Sequence, residues 1–233
     1  MFQHQGIWLP DGEKHFSSWM DSNGEIVDGR GTYQIKKWRA CFPWIKNWRR
    51  AIDVGAHVGF WTIQMIEQKF SDIEAFEPVA EFRDCWWRNC TADIGMLRPG
   101  VILHEEALGA ISGRVLMQIP GLNGGIDSGG THVGRLAATN DEDPAVAEMR
   151  TLDSYDFEYV DFVKIDCEGY EAEVVKGAIE TLKRWRPCVI VEQKPHKLGP
   201  NFGIEGTPAV DILRDLGAHM RTAISGDYIF SWD

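Results

Sequence analysis

The chain has 233 residues, 44% of them apolar, and a formal net charge of −11. That apolar share is enough for a core and argues against a disordered chain, and no apolar run approaches the ~18 residues that a membrane span needs. The acidic balance repels phosphate backbones and anionic membrane surfaces, so neither partner is expected unless basic residues cluster locally.

Taken from its start, the sequence MFQHQGIWLPDGEKHF lacks the basic opening and apolar run of a secretory signal. The cysteines (Cys41, Cys85, Cys90, Cys167, Cys188) are odd in number and form no CxxC pair. That pattern predicts buried thiols in a reducing compartment, neither a disulfide scaffold nor a zinc site, and a cytoplasmic protein. Residues 1–48 carry Trp8, Trp19, Trp38, Trp44 and Trp48. Ile35, Trp38, Cys41/Phe42 and Ile45 recur at near-helical spacing, which predicts a helix within 31–48 interrupted near Pro43. The expected organisation is a helical, tryptophan-rich extension over 1–48 and a main domain over 49–233. Two roles are open for the tryptophans: packing in a core, or shaping a pocket. Lys36, Lys37, Arg39, Lys46, Arg49 and Arg50 form the densest basic stretch, either a solvated helix face or a nucleic-acid patch.

From residue 50 strands and helices alternate. Strands are predicted at 51–54, 72–77 and near 101–104, with helices over 60–69 and 79–91 between them. The rhythm breaks over 112–150, where 114–119 reads as a strand and GLNGGIDSGG (121–130) as a loop. It resumes with a strand at 162–166, a helix at 170–186 ended by Pro187, and a strand at 188–192. The last helix has Thr207 as N-cap, Pro208 at its first position and Gly217 past its end. Strands at 219–224 and 228–232 flank Ser225-Gly226-Asp227, a hairpin turn. The sum is an α/β fold: a mainly parallel sheet with helices on both faces, closed by an antiparallel hairpin.

Two features at adjacent strand ends carry chemistry. Asp53-Val-Gly55-Ala-His57-Val-Gly59 joins the first strand to its helix, where glycines permit a tight turn and helix N–H groups are free. His57 stands where a dinucleotide fingerprint has the glycine that admits a pyrophosphate, so a nucleoside without phosphates is favoured over NAD or FAD. Glu77 ends the next strand, placed to bind ribose hydroxyls.

AIDVGAHVGFWT (51–62), AFEPV (75–79) and TLDSYDFEYVDFVKIDCEGYEAEVVKGA (151–178), followed by VIVEQK (189–194), resemble the FkbM-type methyltransferases. The resemblance implies a class I methyltransferase fold, Rossmann-like, with a seven-stranded sheet whose last strand is antiparallel. It implies S-adenosylmethionine as cofactor and, in most members, a hydroxyl as acceptor. Carried over, Asp53, Gly55, His57 and Gly59 would form the cofactor loop and Glu77 would bind the ribose. Glu106-Ala107-Leu108-Gly109 would lie near the adenine, with Ala107 as a contact. Asp166 and Glu168 would stand beside the methyl group. For these two acids three readings stay open: a general base or positioning role; one orienting the cofactor amine or the loop while the other caps the following helix; or ligands of a divalent metal. The sequence puts no dedicated metal site forward. His196 is a candidate base near neutral pH, or a solvated loop residue. Lys194, with Asp166, matches part of the Lys-Asp-Lys-Glu set of RNA cap 2′-O-methyltransferases. Three functions are therefore carried forward: O-methylation of a small molecule or glycan, RNA methylation, and a catalytically silent cofactor-binding module.

Overall fold

The computed structural model describes residues 1–91, 95–118, 132–136, 145–194 and 205–232. The glycine-rich loop 121–130 and His196 lie outside the described residues.

The main sheet has seven strands. In chain order they are β5 (Arg50–Val54), β6 (Asp72–Phe76), β7 (Val101–His104), β12 (Val160–Ile165), β13 (Cys188–Glu192), β14 (His219–Ile224) and β15 (Asp227–Ser231). Their spatial order is β14-β15-β13-β12-β5-β6-β7. Every neighbouring pair from β7 to β13 is parallel, and β15 inserts antiparallel between β13 and β14. This is the class I methyltransferase arrangement that the resemblance implies. The reversal is local: Ser225 and Gly226 both have positive φ, 52° and 86°, which two-residue hairpins of the favoured hand require.

Central strands are buried on both faces, and alternate residues feed two cores. Ile52, Val163, Ile165 and Val189 join one core with Val174, Leu182 and Leu213 from the helices α5 (Glu171–Lys176), α6 (Ile179–Trp185) and α7 (Pro208–Asp215). Ala51, Phe162 and Ile190 join the other, with residues of α2 (Ile35–Cys41), α3 (Phe60–Glu67) and α4 (Ala80–Thr91). Trp38 of α2 is 2% exposed and meets Phe162 edge-on at 5.2 Å. Part of the early segment is thus built into the main core.

That segment is not simply helical. Besides α1 (His15–Asn23) and α2 it holds two short hairpins, β1 (Phe2–His4) with β2 (Ile7–Leu9) and β3 (Ile26–Val27) with β4 (Arg30–Gly31). The helix read over 31–48 narrows to α2 and a 3-10 turn, Phe42–Trp44, because Pro43 cannot supply an N–H to continue it.

The predicted helix 170–186 is two helices, broken at Gly177. A Cβ there would stand 2.0 Å from the Gly109 carbonyl oxygen, so the chain needs glycine to pass. Asp153 caps the second piece, accepting from Glu180 N and Thr181 N at 3.0 and 2.8 Å. Thr207 precedes α7 as predicted, but its side chain does not cap it. Gln193 Oε1 accepts from Ala209 N and Val210 N instead. The segment that breaks the alternation forms a second sheet, β10-β9-β11-β8, from β8 (Ala107–Leu108), β9 (Gly113–Gln118), β10 (His132–Leu136) and β11 (Val146–Arg150).

Candidate active site

A cavity of about 730 Å³ opens at the carboxyl ends of β5, β6 and β12, within the size range of small-molecule sites. The loop after β5 forms its floor. Gly55, His57 and Gly59 have φ of 74°, 51° and 95°, so the chain turns sharply back on itself. A Cβ on Gly55 would lie 2.0 Å from the Asp166 carbonyl oxygen, so glycine is what lets the β5 and β12 ends meet. Gly59 answers a different demand: its Cβ would stand 3.0 Å from Trp86 Cδ1 and 3.1 Å from Cys90 Sγ of α4. Gly55, Ala56 and His57 line the cavity, whereas Gly59 and Asp53 are not among its lining residues.

Asp53 works beneath the loop. Its carboxylate is wholly buried, accepts from Thr62 Oγ1 at 2.7 Å and pairs with Lys164 Nζ at 3.3 Å. Lys164 Nζ also donates to the carbonyls of Val54 and Gly55 at 3.1 and 2.6 Å. Burial by itself would depress the lysine's pKa, but Asp53 and Asp166 outweigh it and hold it at about 12. A permanent cation therefore ties the glycine loop to the central strand.

Glu77 is 4% exposed and lines the cavity. Its Oε2 accepts from His57 N and its Oε1 from Val79 N, both at 2.8 Å. Burial raises its pKa to about 7 against the pull of those N–H groups. Each oxygen keeps a lone pair for a further donor. His57 itself is sealed between rings, 3.9 Å from Phe82 and 4.9 Å from Phe16 by centroid. Burial, with Lys164 and His15, lowers its pKa to about 3, so the imidazole is neutral. Glu106, Ala107 and Leu108 form another part of the lining.

Asp166 and Glu168 follow β12, and Glu192 ends β13; a carboxylate oxygen from each lies within 4.8 Å of the others. The turn carrying the first two is held by Glu171, whose Oε1 accepts from Cys167 N and Gly169 N at 3.0 and 2.8 Å. Burial lifts the Glu171 pKa to about 7. Lys194 Nζ pairs with Glu192.

The wall facing these acids comes from the early segment, including Phe16, Trp19, Tyr33, Gln34 and Lys37. Lys37 forms a buried ion pair with Asp227, tying α2 to the β14–β15 hairpin. Burial raises Asp227 to about 7, with Lys37 opposing and Asp166 adding to the rise. Tyr33 and Gln34 carried no motif, and only the tryptophan-rich composition hinted at a pocket there; Lys37 was marked only as part of the basic stretch, and Lys164 lay in the family motif without a role.

Four of the six cations of the basic stretch 36–50 are engaged by acids, while Lys36 and Lys46 are exposed and Lys36 lines the cavity. Lys37 pairs with Asp227, Arg39 with Glu25, Arg49 with Asp161, and Arg50 with Asp72 and Glu74. Among the described residues no helix is long and apolar enough to cross a membrane.

Residues 53–224 match the methyltransferase FkbM domain. The chain belongs to the FkbM methyltransferase family. This FkbM domain therefore takes S-adenosylmethionine as its methyl donor. It resembles the methyltransferase FkbM of Methylobacillus flagellatus KT at 16% identity and TM-score 0.50, over 79% of this chain and 43% of that one. The chain thus spans less than half of that relative. A precorrin-6y C5,15-methyltransferase from Geobacter metallireducens GS-15 aligns at 13% identity and TM-score 0.48, over 92% of this chain and 96% of that one. A precorrin 8w decarboxylase from Methanobacterium thermoautotrophicum aligns at 16% and 0.49, over 87% and 92%. No curated protein matches the chain.

Proposed function

We propose that the protein transfers the methyl group of S-adenosylmethionine to a hydroxyl of a small molecule or glycan. The observation that carries this reading is the acid group Asp166, Glu168 and Glu192 in one cavity with the glycine loop and Glu77. The chain's residues fit that cofactor. Glu77 is a buried carboxylate with lone pairs for ribose hydroxyls, and His57 stands where the dinucleotide fingerprint has the glycine that admits a pyrophosphate. Gly55 and His57 would lie under the amino-acid end, and Ala107 with Glu106 would meet the adenine. The bound cofactor supplies a methyl group on a good leaving group. The chain's share is to align an oxygen with it and to take the hydroxyl proton.

Asp166 or Glu168 is the proton acceptor in this reading. Asp166→Asn and Glu168→Gln should each bind S-adenosylhomocysteine as the parent does, by calorimetry. One of them should release it from S-adenosylmethionine roughly 10²–10⁴-fold more slowly with a panel of hydroxylated acceptors. Loss of cofactor binding in both would show that the acids orient the cofactor instead. A divalent cation is the second reading, favoured by the short separations among the three carboxylates. Turnover abolished by EDTA and restored by Mg²⁺ would establish it; turnover untouched by EDTA supports the base. RNA as acceptor is disfavoured because most of the basic stretch is taken up by ion pairs and the net charge is −11. His196 keeps its place as an alternative base from the sequence alone.

A further inference from the structure

The proposed methyl transfer leaves open what selects the acceptor, and the cavity wall opposite Asp166 precedes the family match at residue 53. Trp19 and Tyr33 of that wall stand with Phe60 of α3: Trp19 meets Tyr33 at 4.6 Å and Tyr33 meets Phe60 at 5.3 Å by centroid, and all three line the cavity. Behind them runs a fixed chain of donors. Trp61 Nε1 donates to Gln34 Oε1 at 3.2 Å, and Gln34 is 6% exposed. With its oxygen so engaged, the Gln34 amide has only its N–H₂ to offer Tyr33. The phenol's own proton is left to point away from Gln34. The Tyr33 ring is close enough to Asp166, Glu192 and Glu168 for each to raise its pKa, while burial raises it most. The hydroxyl therefore stays protonated and acts as a donor.

Charge narrows the acceptor further. Of the four lysines at the cavity, Lys37 is held by Asp227, Lys194 by Glu192, and Lys164 by Asp53 and two carbonyls, while Lys36 is exposed. A phosphoryl group would meet Asp166 and Glu168 with three of the four lysines already engaged, and like charges at such a site are disfavoured. Aromatic faces beside hydrogen-bonding groups instead suit a ring that is apolar on one face and hydroxylated at its edge.

We propose that the segment preceding the family match selects the acceptor, an uncharged polyhydroxylated ring, which packs on Trp19 while the Tyr33 hydroxyl, beside Gln34, donates to an oxygen of that ring. This rests on the methyl-transfer reading, and the two can fail separately.

The test is calorimetry on the protein saturated with S-adenosylhomocysteine. The probes are methyl β-D-glucopyranoside, methyl β-D-galactopyranoside, myo-inositol and glucose 6-phosphate at millimolar concentration. At least one neutral ring should bind, and glucose 6-phosphate more weakly than it. Tyr33→Phe should weaken that binding about fivefold, the worth of one neutral hydrogen bond, and Trp19→Ala by more. Gln34→Glu keeps the shape but accepts from Tyr33, drawing the phenol proton away from the cavity, and should match Tyr33→Phe. In all three variants S-adenosylhomocysteine affinity should stay within about twofold. Equal binding of the phosphorylated probe, no binding of any neutral ring, or unaltered probe affinity in Tyr33→Phe would overturn the proposal. If Gln34→Glu fails to fold, Tyr33→Phe and Trp19→Ala still decide it. Wild-type protein that fails to bind S-adenosylhomocysteine would refute the methyl-transfer reading itself, and the acceptor wall with it.

Discussion

Replacing Glu77 with glutamine perturbs one buried group in two measurable ways. The carboxylate accepts a backbone N–H on each oxygen, from His57 and Val79. A glutamine amide offers one oxygen and one N–H₂, so one of those buried donors loses its acceptor, at about 1–3 kcal/mol of stability. Toward the cofactor the variant loses charge-assisted bonds from ribose hydroxyls, each worth about 1.5–3 kcal/mol, or at least tenfold in affinity. The pH dependence gives a second, sharper signature. Burial raises Glu77 from 4.5 to about 7, so the empty protein prefers the protonated acid. This group's contribution to stability is therefore full below pH 4.5 and is lost as pH rises to about 7. The loss is on the order of 3 kcal/mol. Ribose hydroxyls donate best to the ionised form, so binding pulls the pKa back down and releases a proton. S-Adenosylhomocysteine affinity should climb between about pH 5 and 7, by up to about tenfold per unit, and level off above. Glu171 and Asp227 are also raised to about 7, so the variant is needed to isolate the effect. Calorimetry across this range should find the slope in the wild type and a largely flat profile in Glu77→Gln. A slope that survives the substitution, or unaltered affinity at pH 8, would remove Glu77 from the cofactor site.

Lys164→Met strands the fully buried Asp53 charge and should cost about 3–5 kcal/mol, read as a lower thermal midpoint; adding Asp53→Asn should recover much of it. Gly177→Ala forces a Cβ toward the Gly109 carbonyl and should destabilise by about 1–3 kcal/mol, a fall of several degrees in Tm; an unchanged Tm would mean that the helix break has another cause. Mobility-shift assays at low salt with single-stranded RNA and duplex DNA should show no tight, salt-sensitive binding, since Arg39, Arg49, Arg50 and Lys37 are engaged by acids.

Local signals were sufficient for the sheet. Short apolar runs stopped by Gly55 and Pro78, and one that opens after the helix-ending Pro187, place strands β5, β6 and β13 to within a few residues. Ser225-Gly226 likewise specified the closing hairpin, since positive φ is a property of the turn itself. Asp53, Gly55, His57, Gly59 and Glu77 were legible as a group from their spacing, and Asp166 and Glu168 from the family motif. What each does was not. Asp53 and Gly59 turn out to support the loop from below, because Lys164, Thr62, Trp86 and Cys90 approach them from elements distant in sequence. Glu171, in the same stretch as Asp166 and Glu168, holds the turn that these two ride on, a role visible only once the N–H groups of Cys167 and Gly169 converge on it. The break at Gly177 escaped detection because its cause is the Gly109 carbonyl, brought there by the second sheet. Composition showed that residues 1–48 are rich in tryptophan, but tertiary packing divided their roles. Trp38 lies in the core against Phe162, and Trp19 lies at the cavity with Tyr33, because burial and direction depend on neighbours that no periodicity in the segment records.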